Sequence, residues 1–276
     1  MENKNIVFDK DIFSLLGSQN YKFNFVGSSI PTSKDVFFRA KQKELVDQYY
    51  AARVFLSETA KNDWEHWFSH SNNDKAQEYF ELLYKSYFYE TALFYYNVVV
   101  DLSWIICYIG AEFAIDKDGE RVDFDDIMSI EDAYKLIRQA EKYVHNPDAK
   151  ESPFCYLKKM VPEFSNAINM IISFWTKFKD NPIREKYNFV KHRGKPLYFE
   201  MKKFQQNNVF GFYYQHSNGE QEKIVSNLSD IRYEVFLEDS ISELLEFDNK
   251  TLYFYVNNLF KELEDIVQPS KFVLRS

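Results

Sequence analysis

The sequence predicts a mainly helical protein, and three observations carry that expectation. Gly and Pro number only 7 each in 276 residues, so the chain has few of the residues that end helices and make tight turns. Between those breaks Leu, Phe, Tyr, Lys and Glu recur at helical spacing over long runs. Aromatic residues make up 18% of the chain, which points to cores built from Phe and Tyr whose hydroxyls need partners where they are buried. The length is enough for a sizeable hydrophobic core.

Residues 1–40 mix short apolar pieces, Ile6-Val7-Phe8 and Phe23-Asn24-Phe25-Val26, with a Gly-Ser-Ser-Ile-Pro turn. They read as an N-terminal arm or short strands, and residues 41–268 as one helical domain. From Lys41, the positions Leu45, Tyr49, Ala52, Phe55, Leu56, Ala60, Trp64 and Trp67 hold helical spacing up to a polar break at 69–73. The longest helix is expected within 74–114, buried along Leu82, Leu83, Tyr87, Leu93, Val98 and Ile105, because nothing breaks the pattern before Gly110. Asp116 to Glu120 reads as a turn. Ser129 and Asp132 resemble a capping box, with Asp in place of the preferred Glu, opening a helix that ends near His145-Asn146-Pro147. Pro162 to Lys179 then carries a broad apolar face.

Past Pro196 the grammar changes. Leu197 to Met201, Val209 to Tyr214 and Lys223 to Val225 read as strands around an Asn218-Gly219 hairpin turn, so a small β insertion is expected at about 197–226. Helical spacing returns at Ser242 to Phe247 and Leu252 to Val267, stopping at Pro269.

The formal charge of −8 argues against a protein that coats nucleic acid through a global basic surface, so any such contact must be local. Two cysteines, Cys107 and Cys155, are too few for a disulfide scaffold or a thiolate zinc site and read as buried thiols of a cytoplasmic protein. The N-terminus lacks the basic and apolar segments of a signal peptide. Leu93 to Ile109 could be mistaken for a membrane span, but Asn97, Asp101 and Ser103 interrupt it, and a buried core helix with no membrane contact is the expectation. His66 and His70 stand at i, i+4, yet Glu65 precedes the first histidine where a zinc protease needs it to follow. His145 reads as a cation at a helix C-terminus and His216 as an exposed residue beside the hairpin. The acidic residues Asp123, Asp125 and Asp126 match no calcium loop. No phosphate-binding glycine loop and no Gly-x-Ser-x-Gly turn occurs, and no metal or cofactor is expected.

The densest reactive chemistry lies in Asn181 to Pro196. Asn181 suits an N-cap, Pro182 the first helical position and Gly194 the exit, so a helix of roughly Pro182 to Arg193 is expected. At about 100° per residue, Arg184, Asn188, Lys191 and His192 are expected on one face, with Ile183, Tyr187, Phe189 and Val190 left for packing.

Tyr187-Asn188-Phe189-Val190-Lys191-His192-Arg193-Gly194, placed after a long helix pair, resembles the HEPN superfamily. That family's motif is an Arg, often followed by Asn, then a His after four to six intervening residues. Asn188 and His192 match it; Tyr187 stands where the Arg would, and Arg184 precedes His192 with seven intervening residues. The resemblance implies an antiparallel helical bundle that binds RNA or a nucleotide, pairs as a homodimer, and serves a toxin or antiphage defence system together with an antitoxin or other partner protein. As a metal-independent endoribonuclease, it would use His192, Asn188 and Arg184 in catalysis, with Lys191, Arg193, Tyr187 and Lys195 contacting substrate. Imidazole, amide and guanidinium can supply a base, a phosphate-positioning donor and a cation for the phosphorane. The alternative is a catalytically degenerate HEPN-like binding or scaffold protein.

Overall fold

The computed structural model describes residues 33–61, 74–110, 113–115, 121–123, 131, 138, 149–150, 152–204, 209–227 and 233–266. The arm at 1–32, Trp64, Trp67, His66, His70, the Ser129–Asp132 pair, Asp125, Asp126 and His145 lie outside them. Seven α-helices run through the described residues: α1 (Ser33–Glu58), α2 (Asp74–Gly110), α3 (Pro153–Met160), α4 (Ser165–Phe178), α5 (Pro182–His192), α6 (Leu237–Phe247) and α7 (Tyr253–Ile266). The protein is mainly α.

Helix α1 begins eight residues before Lys41, so the segment 33–40 is helical rather than part of an extended arm. It packs antiparallel on α2. Phe55 stacks on Phe88 and Tyr95, while Tyr49, six residues earlier, meets Tyr96 further along α2. The end of α2 is buried on every side from Ser103 to Gly110, which explains its continuous apolar sequence. It is the one described helix long and apolar enough to cross a membrane, and 67% of its most apolar 18-residue stretch is buried inside the protein. Leu93 and Ile105 are buried as expected, whereas Leu82, Leu83 and Val98 are only partly buried and Tyr87 is 46% exposed. The buried stripe runs through Ser86, Tyr89, Leu93, Tyr96 and Val100; Tyr87 falls on the neighbouring stripe that reaches solvent.

Ser152 caps α3, its hydroxyl accepting from Phe154 N–H at 3.2 Å. A 3₁₀ turn at Pro162–Phe164 then leads into α4, so the expected helix from Pro162 starts three residues later. Trp104 of α2 meets Trp175 of α4 edge-on at 4.8 Å, and Phe174 stacks on Tyr255 of α7 at 3.9 Å. Helices α6 and α7 are joined by a π turn at Asp248–Leu252. At its head Asp248 is fully buried, paired to Arg53 of α1 at 3.0 Å and accepting the Tyr49 hydroxyl.

The strands are few. β1 (Phe113–Ile115) and β2 (Arg121–Asp123) pair antiparallel, and the turn expected at 116–120 lies outside the described residues. β4 (Val209–Gln215) and β5 (Gln221–Asn227) form the expected hairpin, with Gly219 at φ 86°. Leu197 to Met201 does not join it. Only Leu197 and Tyr198 are extended, as β3, pairing parallel with β6 (Glu234–Val235), and Phe199–Phe204 coils into a 3₁₀ turn. Cys107 is buried and Cys155 half-buried, its thiol donating to the Ala149 carbonyl at 3.1 Å.

Candidate functional site

Helix α5 is punctuated as its sequence demands. The Asn181 Oδ1 accepts from Ile183 N–H at 2.9 Å, Pro182 opens the first turn, and Gly194 leaves at φ 108° with its N–H on the Phe189 carbonyl. The helix lies antiparallel along α2, since Arg184 meets Asn97, Tyr187 meets Phe94, and Lys195 reaches Ser86.

This docking divides the candidate residues. Arg184 is 5% exposed and points inward. Its guanidinium donates to the Asn97 Oδ1 at 2.9 Å and stands over the rings of Tyr187, Trp175 and Phe178 at 5.1, 5.4 and 5.9 Å. Asn97 is held in turn by donating to the Leu93 carbonyl at 2.9 Å. Asn188, Lys191, His192 and Arg193 are exposed. The expectation that Arg184 shares a face with Asn188 and His192 is therefore corrected, while Lys191 stays on its side, one turn past Tyr187 where the helix end reaches solvent: the core-facing arc of α5 spans Ile183, Tyr187 and Arg184. Asn188 and His192 lie about 40° and 80° beyond Arg184 around the axis, outside that arc. Tyr187 is buried beneath them, with the Lys191 Nζ 5.5 Å from its ring, so it supports the exposed face rather than contacting solvent.

One turn along α2 from Asn97 stands Asp101. Burial pushes its carboxyl up to about 6, against the pull of Arg184 and Lys191. Asn97 and Asp101, which the sequence shows only as polar interruptions of an apolar run, thus form the floor under α5. An i, i+4 polar pair inside a buried helix was the available signal, because such groups need a buried partner.

Beside α5 the outward stripe of α2 lines an open groove of about 420 Å³ with Tyr87, Glu90, Thr91, Phe94 and Tyr95. Tyr87 and Phe94 are about half exposed. Lys195 connects this groove to the exit of α5: its ammonium donates to Ser86 Oγ at 2.9 Å, lies 3.5 Å from Glu90 Oε1 and sits 4.0 Å over the Tyr87 ring. Burial lowers its pKa, and the Glu90 carboxylate opposes that shift. The Tyr198 hydroxyl donates to the same Glu90 oxygen at 2.8 Å. Sequence reading did not find Tyr87, Glu90, Phe94 or Tyr198 as site residues, since their approach to α5 depends on tertiary docking.

Chemically, one protomer offers an exposed imidazole, an amide and three cations along α5 and its exit, next to accessible aromatic faces. Its buried guanidinium orients the helix instead of reaching the solvent side. Among the described residues no group of three or more His, Cys, Asp or Glu gathers as metal ligands; His216 follows β4 at the hairpin turn, 3.1 Å from Glu222. Comparison with protein-family models, with curated proteins and with solved structures found no match.

Proposed function

We propose that the chain is a cytosolic HEPN-like protein that binds single-stranded RNA along α5 and the adjoining aromatic groove. The observation that carries this reading is that cations of α5 and its exit reach the aromatic groove: Lys191 lies over Tyr187, which meets Phe94, and Lys195 lies over Tyr87, with Asn188, His192 and Arg193 also exposed along the helix and its exit. Cations that follow a phosphate backbone, next to aromatic faces on which bases stack, are the two ingredients of single-strand recognition. They work locally, which suits a chain whose net charge is negative.

Cleavage, where it occurs, assigns proton transfer to His192, phosphate positioning to Asn188 and charge stabilisation to Lys191 and Arg193. It requires a homodimer that sets two His192 side chains across one groove, since a single imidazole cannot serve as base and acid at once. Arg184 holds α5 against Asn97. Its inward position favours the second reading, a degenerate member that binds RNA or a defence partner without cutting.

The test is an RNA binding and cleavage assay on purified protein in EDTA, with light scattering at tens of micromolar protein. Binding with cleavage that His192→Ala removes, in a dimeric protein, supports the nuclease. Binding without cleavage selects the degenerate reading, and failure to bind any RNA refutes both forms of the RNA proposal.

A further inference from the structure

The groove on α2 carries an acceptor that the fold leaves partly unused. Glu90 has a side chain only 18% exposed, and its Oε1 is engaged by the Tyr198 hydroxyl and the Lys195 ammonium. Its Oε2 accepts no hydrogen bond from the described residues, although Glu90 lines the groove. A half-buried carboxylate anchored through one oxygen has lost much of its water and gains by meeting donors. The surroundings select a flat ligand: Tyr87 and Phe94 present exposed rings about one turn to either side of Glu90 along the helix.

We infer that this groove takes a guanine base, lying against the exposed rings with its N1–H and 2-amino donors on the Glu90 carboxylate. The inference deepens the proposed RNA binding and rests on it for the base being part of a strand. A carboxylate offers acceptors only. Of the four RNA bases, guanine alone presents two adjacent donors on its pairing edge. Adenine, cytosine and uracil each turn an acceptor toward one of the two oxygens, and two facing acceptors repel. Lys195 offsets the Glu90 charge, so a phosphate-bearing ligand can approach, and Lys191, whose ammonium lies over the Tyr187 ring beside Phe94, stands on the adjoining helix to meet its backbone.

The experiment measures binding of short single-stranded oligoribonucleotides by fluorescence anisotropy, comparing a uridine strand with strands carrying one guanosine, inosine, adenosine or cytidine. Guanosine 5′-monophosphate is titrated in parallel. In the wild-type protein the guanosine strand is expected to bind about tenfold or more tightly than the others, and inosine, which lacks the 2-amino group, to lose much of that advantage. Glu90→Gln, which places a donor beside an acceptor, should bring the guanosine-to-adenosine ratio close to one. The inosine comparison uses unaltered protein, so a fold-damaging Glu90→Gln leaves the inference open to refutation. RNA binding with no guanosine preference, or with a preference unchanged in folded Glu90→Gln, overturns the inference and leaves the proposed function standing. Guanosine monophosphate binding without strand binding upholds the base site while refuting RNA as its source; binding of neither overturns both.

Discussion

Arg53 and Arg184 are both almost fully buried, yet Arg53 closes on a carboxylate deep in the helical core whereas Arg184 closes on an amide directly beneath an exposed polar helix. Around Arg53 the charges cancel: Asp248 lies 3.0 Å away and also takes the Tyr49 hydroxyl, tying α1 to the π turn between α6 and α7. Around Arg184 the charge is spread over Asn97 and three aromatic rings, with Asp101 one turn further on. The first cluster has no route to solvent and acts as a fastener. The second touches α5, whose outer side carries Asn188, Lys191 and His192. The difference shows that burial of charge identifies a site only when the elements it braces also present chemistry outward.

The largest effect should come from breaking the fastener. Asp248→Ala leaves the Arg53 guanidinium buried without its carboxylate, and the expected loss of unfolding free energy is about 3 to 5 kcal/mol by chemical denaturation. Replacing both partners by apolar residues, Arg53→Met with Asp248→Leu, should restore most of it, because the cost lies in the stranded charge. A single-variant loss under about 1 kcal/mol would abolish the contrast. Arg184→Ala is expected to cost about 2 kcal/mol, from its hydrogen bond to Asn97 and its contact with aromatic faces. Since Arg184 braces α5, that variant should weaken the proposed RNA binding in proportion to lost helix order, read by amide exchange along 182–193.

These clusters were unequally legible. The helices, the hairpin turn at Asn218-Gly219 and the caps of α5 follow from local rules that need only neighbours in sequence, and Asn181, Pro182 and Gly194 perform as their types require. The inward turn of Arg184 was not legible, because on α5 it lies at the border of the apolar arc and only docking against Asn97 decides its side. Tyr87 failed for the same reason: helical spacing marks stripes but does not say which of two adjacent apolar stripes meets the core. Leu197 to Met201 has strand composition yet finds only a two-residue partner, Glu234–Val235, so most of it coils.

A smaller effect sharpens the contrast through pH. Asp101 has its carboxyl raised from 3.8 to about 6, chiefly by burial. In the unfolded chain it ionises first, so between those values the folded state binds more protons and its stability falls as pH rises. The cost is absent below about pH 4 and complete above about pH 7. Asp101→Asn should therefore match the wild type in stability near pH 4 and exceed it near neutrality by on the order of 2 kcal/mol. Equal stability at both pH values would show that Arg184 and Lys191 fully compensate the buried carboxylate.

The smallest expected effect on stability belongs to the residue with the largest expected effect on function. His192 is exposed in the last turn of α5. Among the described residues no hydrogen bond or ion pair to its side chain occurs, so His192→Ala should shift unfolding free energy by no more than about 0.5 kcal/mol. If the protein cleaves RNA as the proposed dimer, the same substitution removes the only imidazole on this helix, and the rate should fall by on the order of 10² to 10⁴, as for loss of a general acid–base. The pairing of these measurements is what discriminates. A stability change near that of Arg184→Ala would place His192 among the bracing residues, and full cleavage in a folded His192→Ala protein would remove it from the site. A large rate loss with unchanged unfolding separates the outer face of α5 from the charge cluster that holds it.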